Sequence, residues 1–176
     1  MFLILLKKYY IINIESEREV NKIMKELNQA LNSWLEKYGF DTVVEGMEPS
    51  FGYYYNRDSI VYTLSMRESA IKSWSLLMEE MDCPFVINQF YTSFLHELGH
   101  AQTLDLLTEE EEQFSKNEEI RLSQLDDIVQ ADYEYYHLPR EIIATEWAMN
   151  FMRENENAIK ELVETTAPIL DTITAY

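Results

Sequence analysis

The chain has 176 residues, 32 of them acidic and 14 basic, for a net charge of −18. That length suits one domain, 1–176, with room for a sizeable core. The charge, with no basic patch to offset it, excludes phosphate-backbone binding as a main activity and favours cationic partners such as a basic peptide or protein surface.

The opening Met1-Phe2-Leu3-Ile4-Leu5-Leu6 has the apolar character of a leader, but it is short, has no basic segment in front, and runs into Lys7-Lys8 without a small-residue cleavage site. Residues 2–14 read instead as a strand. Glu15 to Tyr38 reads as a helix: Val20, Ile23, Met24, Leu27, Leu31, Trp34 and Leu35 keep a 3.6-residue period, with Gly39 as the stop. Phe51-Gly52-Tyr53-Tyr54-Tyr55 and Ser59 to Leu64 flank Asn56-Arg57-Asp58 and read as a β-hairpin. Ser69 to Met81 reads as another helix. Cys83 is the only cysteine, which rules out an internal disulfide and fits the reducing cytoplasm. No run approaches the ~20 apolar residues that span a bilayer.

The most informative segment follows. His96-Glu97-Leu98-Gly99-His100 fits the H-E-x-x-H zinc-binding pattern. Residues four apart share one helix face, so His96 and His100 can present two imidazoles to one ion, with Glu97 roughly 100° around the helix as a base for water. Tyr91, Phe94, Leu95, Leu98, Ala101 and Leu104 recur at helical spacing as an apolar stripe. Pro84 fits the start of this helix, with Asn88 as an alternative cap. Thr92, His96, Gly99, His100 and Thr103 line the neighbouring face, where the small Gly99 lets another element come close. Without a metal the same two histidines would be satisfied core residues that share this spacing by accident.

A catalytic zinc needs a third protein ligand. Asp105, five residues past His100, turns off the metal-facing stripe. The acidic, partly helical stretch from Asp105 to Asp132 contains Glu109-Glu110-Glu111-Glu112, whose charge run reads as a solvated face. His137 is a possible third imidazole. Glu141 is favoured over both His137 and Glu146, because Pro139 fits a helix start and Glu141, Ala144, Thr145 and Ala148 then share a strip beside an apolar edge of Ile143, Trp147 and Phe151. Tyr133, Tyr135, Tyr136 and His137 precede this helix. One of them could donate to an oxyanion, though such clusters are more often packing. Residues 155–173 make a last helix, interrupted near Pro168.

H-E-L-G-H, followed some forty residues later by E-x-x-A-x-x-x-A (Glu141, Ala144, Ala148), resembles the gluzincin metallopeptidases, above all the small bacterial and phage-borne ImmA/IrrE-type members. The resemblance covers roughly Tyr53 to Met152. It implies His96, His100 and Glu141 as Zn2+ ligands and Glu97 as general base. Many members carry Asp or Asn after the small residue, supporting a ligand histidine; Thr145 stands there in this chain. Small zincins also place a strand beside the cleft, whose edge can hold an extended peptide, so the hairpin is either such an edge or a cover for the core. The resulting expectation is a mainly helical α+β domain of minimal zincin type. It has a small antiparallel sheet and two active-site helices, and it cleaves a peptide bond in a protein substrate. The rival expectation is an acidic interaction protein or DNA mimic that binds a basic or nucleic-acid-binding partner and keeps a vestigial or structural zinc site.

Overall fold

An amphipathic helix must bury its apolar stripe. The first helix, α1 (Ile14–Lys37), buries Leu27, Leu31, Trp34 and Leu35. The computed structural model describes residues 14–48, 51–64, 68–81 and 89–174. The strand expected over 2–14 lies outside these residues except for Ile14, which opens α1, and so do Cys83, Pro84 and Asn88. Gly39 ends α1 as expected. It adopts a left-handed backbone (φ 79°). The Gly39 and Phe40 amides then donate to the carbonyls of Glu36 and Leu35, which satisfies groups that a helix end leaves open.

Three strands follow: β1 (Val43–Met47), β2 (Gly52–Tyr54) and β3 (Ser59–Tyr62), in the order β1-β3-β2. The expected hairpin is β2–β3, paired antiparallel. Asp58 (φ 45°) closes its turn and accepts hydrogen bonds from the Tyr53 and Thr42 hydroxyls at 2.7 and 2.9 Å. The sheet is mixed rather than antiparallel, because β1 pairs parallel to β3. Only Val44 is buried in β1, so this short strand carries no alternation to read. Asn32 of α1 clips it in place, accepting from the Val44 amide at 2.7 Å and donating to the Val44 carbonyl at 3.0 Å.

The rest is helical: α2 (Glu68–Glu80), α3 (Gln89–Thr103), a 3-10 turn (Leu104–Leu106), α4 (Glu109–Leu122), α5 (Ile128–Tyr136), α6 (Pro139–Glu154) and α7 (Glu156–Thr174). The fold is therefore α+β and mainly helical, as expected. Glu109 to Glu112 form the first turn of α4, where acidic side chains complement the helix dipole, and Thr108 and Glu111 cap it reciprocally. The helix α7 runs through Pro168 without interruption. Proline removes the amide that would bond the Glu164 carbonyl, but both residues are exposed, so water can take that role. Among the described residues, no helix is long and apolar enough to cross a membrane.

The helix α3 sits at the centre. Every residue from Phe90 to His100 is buried, so the polar face is enclosed as fully as the apolar stripe. Leu104 is the exception to the expected stripe: it falls in the 3-10 turn and is 41% exposed. Against α3 lies α6, the most extensive pairing of elements among the described residues. The face of α6 in that contact is the small strip Glu141, Ala144, Thr145 and Ala148. Ile143, Trp147 and Phe151 are only half-buried, and Trp147 and Phe151 pack instead on the ring of Phe40. Gly99 permits this closeness: a β-carbon there would stand 2.3 Å from the Ala144 carbonyl oxygen.

Candidate metal centre

Two consecutive turns of α3 bring His96 and His100 to one side, with ring centroids 4.7 Å apart. The first turn of α6, with Pro139 at its start, aims Glu141 at them. Glu141 Oε2 lies 3.0 Å from His96 Nε2 and 3.2 Å from His100 Nε2, and all three residues are buried. A tetrahedral zinc site with bonds of about 2.0–2.1 Å has donor–donor edges of about 3.3 Å, so these separations suit one ion held by all three atoms. They are also hydrogen-bond distances, so a proton and a cation compete for the same place. Two imidazoles and a carboxylate with a fourth position open are the donor set of a catalytic rather than a structural zinc.

The surrounding side chains orient each donor. Thr145 donates its hydroxyl proton to the Glu141 carbonyl at 2.7 Å. Its oxygen, 3.1 Å from His96 Nδ1, is then left as an acceptor. With a cation between the donors, that network would keep the His96 proton on Nδ1 and leave the Nε2 lone pair for the ion; without one, His96 Nε2 and Glu141 Oε2 share a proton. Thr145 thus occupies the supporting position that Asp or Asn fills in the family resembled. Arg140 donates from Nε to Glu141 Oε1 at 3.0 Å, leaving Oε2 to the imidazoles, and its guanidinium also pairs with Glu119 of α4. Trp74 of α2 covers His96, with ring centroids 4.6 Å apart and the planes near perpendicular.

Burial and charge set the ionisation here. Burial alone would push Glu141 up, but His100 and His96 outweigh it and hold the carboxyl ionised, well below its usual range. Burial likewise opposes a charge on His100, yet Glu141 and Glu97 raise it overall. Glu97, 9% exposed, is raised chiefly by burial, with the two histidines working against that shift and Glu141 adding to it. A carboxylate with a raised pKa holds an abstracted proton better, which suits a general base.

The rival third ligands are elsewhere. His137 donates from Nδ1 to the Tyr133 carbonyl (2.7 Å) and pairs through Nε2 with Glu80 (2.9 Å), its ring tilted against that of Tyr133 and away from His96 and His100. Glu146 and Asp105 are exposed. The tyrosine cluster divides: Tyr133 bonds Glu80, Tyr136 packs on Trp74, and Tyr135 lies close enough to the centre to feel the charges of Glu141 and Glu97. Burial, then Glu141 and Glu97, push Tyr135 well above its ordinary value, so it stays a neutral donor. Sequence reasoning missed Arg140, Trp74 and Tyr55. Tyr55, in the hairpin turn, is raised by burial, opposed by Arg140, and raised further by Glu141 and Glu97, which places it in the field of the same centre. Arg140 adjoins Glu141 in the chain, and that adjacency was the available signal.

No protein-family model, curated protein or solved structure matches this chain.

Proposed function

We propose that the chain is a zinc-dependent peptidase of gluzincin type that hydrolyses a peptide bond in a protein substrate. The observation that carries this reading is the buried convergence of His96, His100 and Glu141, with Glu97 beside them. Zn2+ held by these three side chains would supply Lewis acidity, polarising a substrate carbonyl and acidifying water. Glu97 takes the proton from the attacking water and delivers it to the leaving amine. Arg140 and Thr145 hold Glu141 and His96 in register. Tyr135 and Tyr55, whose hydroxyls feel the charges of Glu141 and Glu97, are candidate donors to an oxyanion.

Glu97→Gln tests the chemistry. It retains size and polarity but removes the proton acceptor, and general-base catalysis contributes about 10²–10⁴-fold. The variant should fold, hold zinc as the wild type does, and lose cleavage or the cellular effect that depends on it. An unaffected Glu97→Gln protein would end the peptidase reading.

The charge of −18 favours a second reading, an acidic interaction protein for a basic or nucleic-acid-binding partner. The exposed Glu109 to Glu112 turn of α4 is its natural contact. It predicts the opposite sensitivity: Glu97→Gln silent, and neutralising those four glutamates together abolishing function.

A further inference from the structure

Glu141 has two carboxylate oxygens, and its neighbours treat them differently. Oε2 meets both imidazoles, at 3.0 and 3.2 Å. Oε1 accepts from Arg140 Nε at 3.0 Å. The same guanidinium pairs through a terminal nitrogen with Glu119 of α4, so it is held at two of its edges. Its carbon also stands 6.0 Å from the centre of the Tyr135 ring. The Arg140 side chain is 13% exposed and that of Glu141 1%, which leaves Oε1 no bulk water to turn to. A cation this close to a cation-binding carboxylate opposes the ion by plain electrostatics, so its presence there calls for a reason.

We propose that Arg140 is a positioning residue that restricts Glu141 to one oxygen at the metal, and that Glu119 steadies it; the proposal rests on the metal centre of the peptidase reading. A carboxylate beside a divalent cation can ligate through one oxygen or through both. Ligation through both would take up two positions around the ion, whereas a catalytic zinc with three protein ligands keeps one position for water. Packing alone does not choose between these modes, because the last torsion of a glutamate is soft and roughly two-fold. A competing donor on one oxygen does choose, and a charge-assisted bond to a carboxylate is among the strongest available. Arginine suits the task. Its rigid planar fork serves Glu141 on one edge and Glu119 on another, so it cannot swing away from the first without leaving the second. Glu119 belongs to α4, outside the α3–α6 pair that carries the three metal-facing side chains, so the fork is braced from a third helix.

The test replaces zinc with Co2+, whose d–d absorption is strong in a four-ligand site and weakens as ligands are added. Wild-type protein loaded with Co2+ should show the strong spectrum. Arg140→Met keeps an apolar stem but removes the donors; it should still take up one Co2+ per chain, lose most of that intensity and shift to shorter wavelength. Glu119→Gln keeps an acceptor for the guanidinium and should match the wild type. A purely structural role for Arg140 predicts another pattern, a lower melting temperature with the spectrum intact, and an intact spectrum in folded, loaded Arg140→Met would overturn the proposal. If that variant does not fold, X-ray absorption on zinc-loaded wild type decides: Glu141 bound through one oxygen supports the proposal, and bound through both overturns it. Failure of the parent reading looks different. A wild type that takes up neither metal retires the centre and this role together. The full spectral response in a protein that cleaves no peptide keeps the role of Arg140 and retires the peptidase alone.

Discussion

Gly99→Ala is the smallest change that should disturb the centre without touching any of its polar groups. The added methyl would stand 2.3 Å from the Ala144 carbonyl oxygen, 2.9 Å from its carbon and 3.1 Å from its Cα. Non-bonded carbons prefer about 3.5–4.0 Å, so α6 must retreat from α3 by roughly 1 Å. Overpacking of this kind costs about 1–3 kcal/mol. At about 2–4 °C per kcal/mol for a chain of this size, the melting temperature should fall by about 2–12 °C. Glu141 lies one turn before Ala144 and retreats with it, so its 3.0 and 3.2 Å approaches to the imidazoles lengthen. A misplaced donor should weaken zinc by an amount comparable to losing an outer-shell partner, about 10–100-fold. Competition against a chromogenic chelator measures that loss, and thermal melts with and without zinc measure the destabilisation. Because the clash is with backbone atoms, shortening Ala144 to glycine should not rescue the variant. Gly99→Ala protein with wild-type melting temperature and zinc affinity, or full rescue by Ala144→Gly, would refute the close-packing argument.

Thr145→Val keeps the shape but strands the buried His96 Nδ1 proton, and zinc affinity should drop about 10–100-fold by the same chelator competition; Thr145→Ser should retain it. Arg140→Met removes the donor to Glu141 Oε1 and should destabilise the protein by about 1.5–3 kcal/mol in urea titrations, as loss of a charge-assisted bond does. Glu119→Gln leaves that bond standing and should cost less than about 1 kcal/mol, since Glu119 is partly exposed; equal losses for the two variants would contradict this ordering. The His137–Glu80 pair ties the end of α5 to α2. Burial alone would lower His137, but the Tyr133 carbonyl and Glu80 raise it above 6.5, while His137 and then Tyr133 lower Glu80 below 4.5. The His137 contribution is complete below pH 6.5 and fades as pH rises through its raised value; that of Glu80 is complete above 4.5 and fades as pH falls through its lowered one. The melting-temperature gap between wild type and His137→Gln should therefore peak between pH 4.5 and 6.5 and shrink toward higher pH, and a flat gap would contradict the pairing.

What could be read from the chain was governed by local period. His96, Glu97 and His100 owe their arrangement to one helix, and Gly99 announced by its size that something comes close. Glu141 was legible for the same reason, standing above Ala144 and Ala148 on one strip of α6. The small strip of α6 was legible as the face that approaches α3, but where the adjoining apolar edge lands was not: Trp147 and Phe151 meet Phe40, far away in the chain. Long-range pairings carried no local signature. Asn32 clipping β1, Glu119 reaching Arg140 and Trp74 covering His96 join residues far apart in the chain. The mixed sheet escaped notice for a related reason, since a hairpin implies only its own antiparallel pair and the parallel partner β1 is short and mostly exposed.

Elemental analysis of purified protein after exhaustive dialysis tests the central claim most directly, comparing wild type, the His96→Ala/His100→Ala double variant, Glu141→Ala and Glu146→Ala. One zinc per chain is expected in the wild type and in Glu146→Ala, a substantial loss in Glu141→Ala, and none in the double variant. Stoichiometric zinc in a folded double variant, or a wild type that takes up no zinc when it is offered, would contradict that claim.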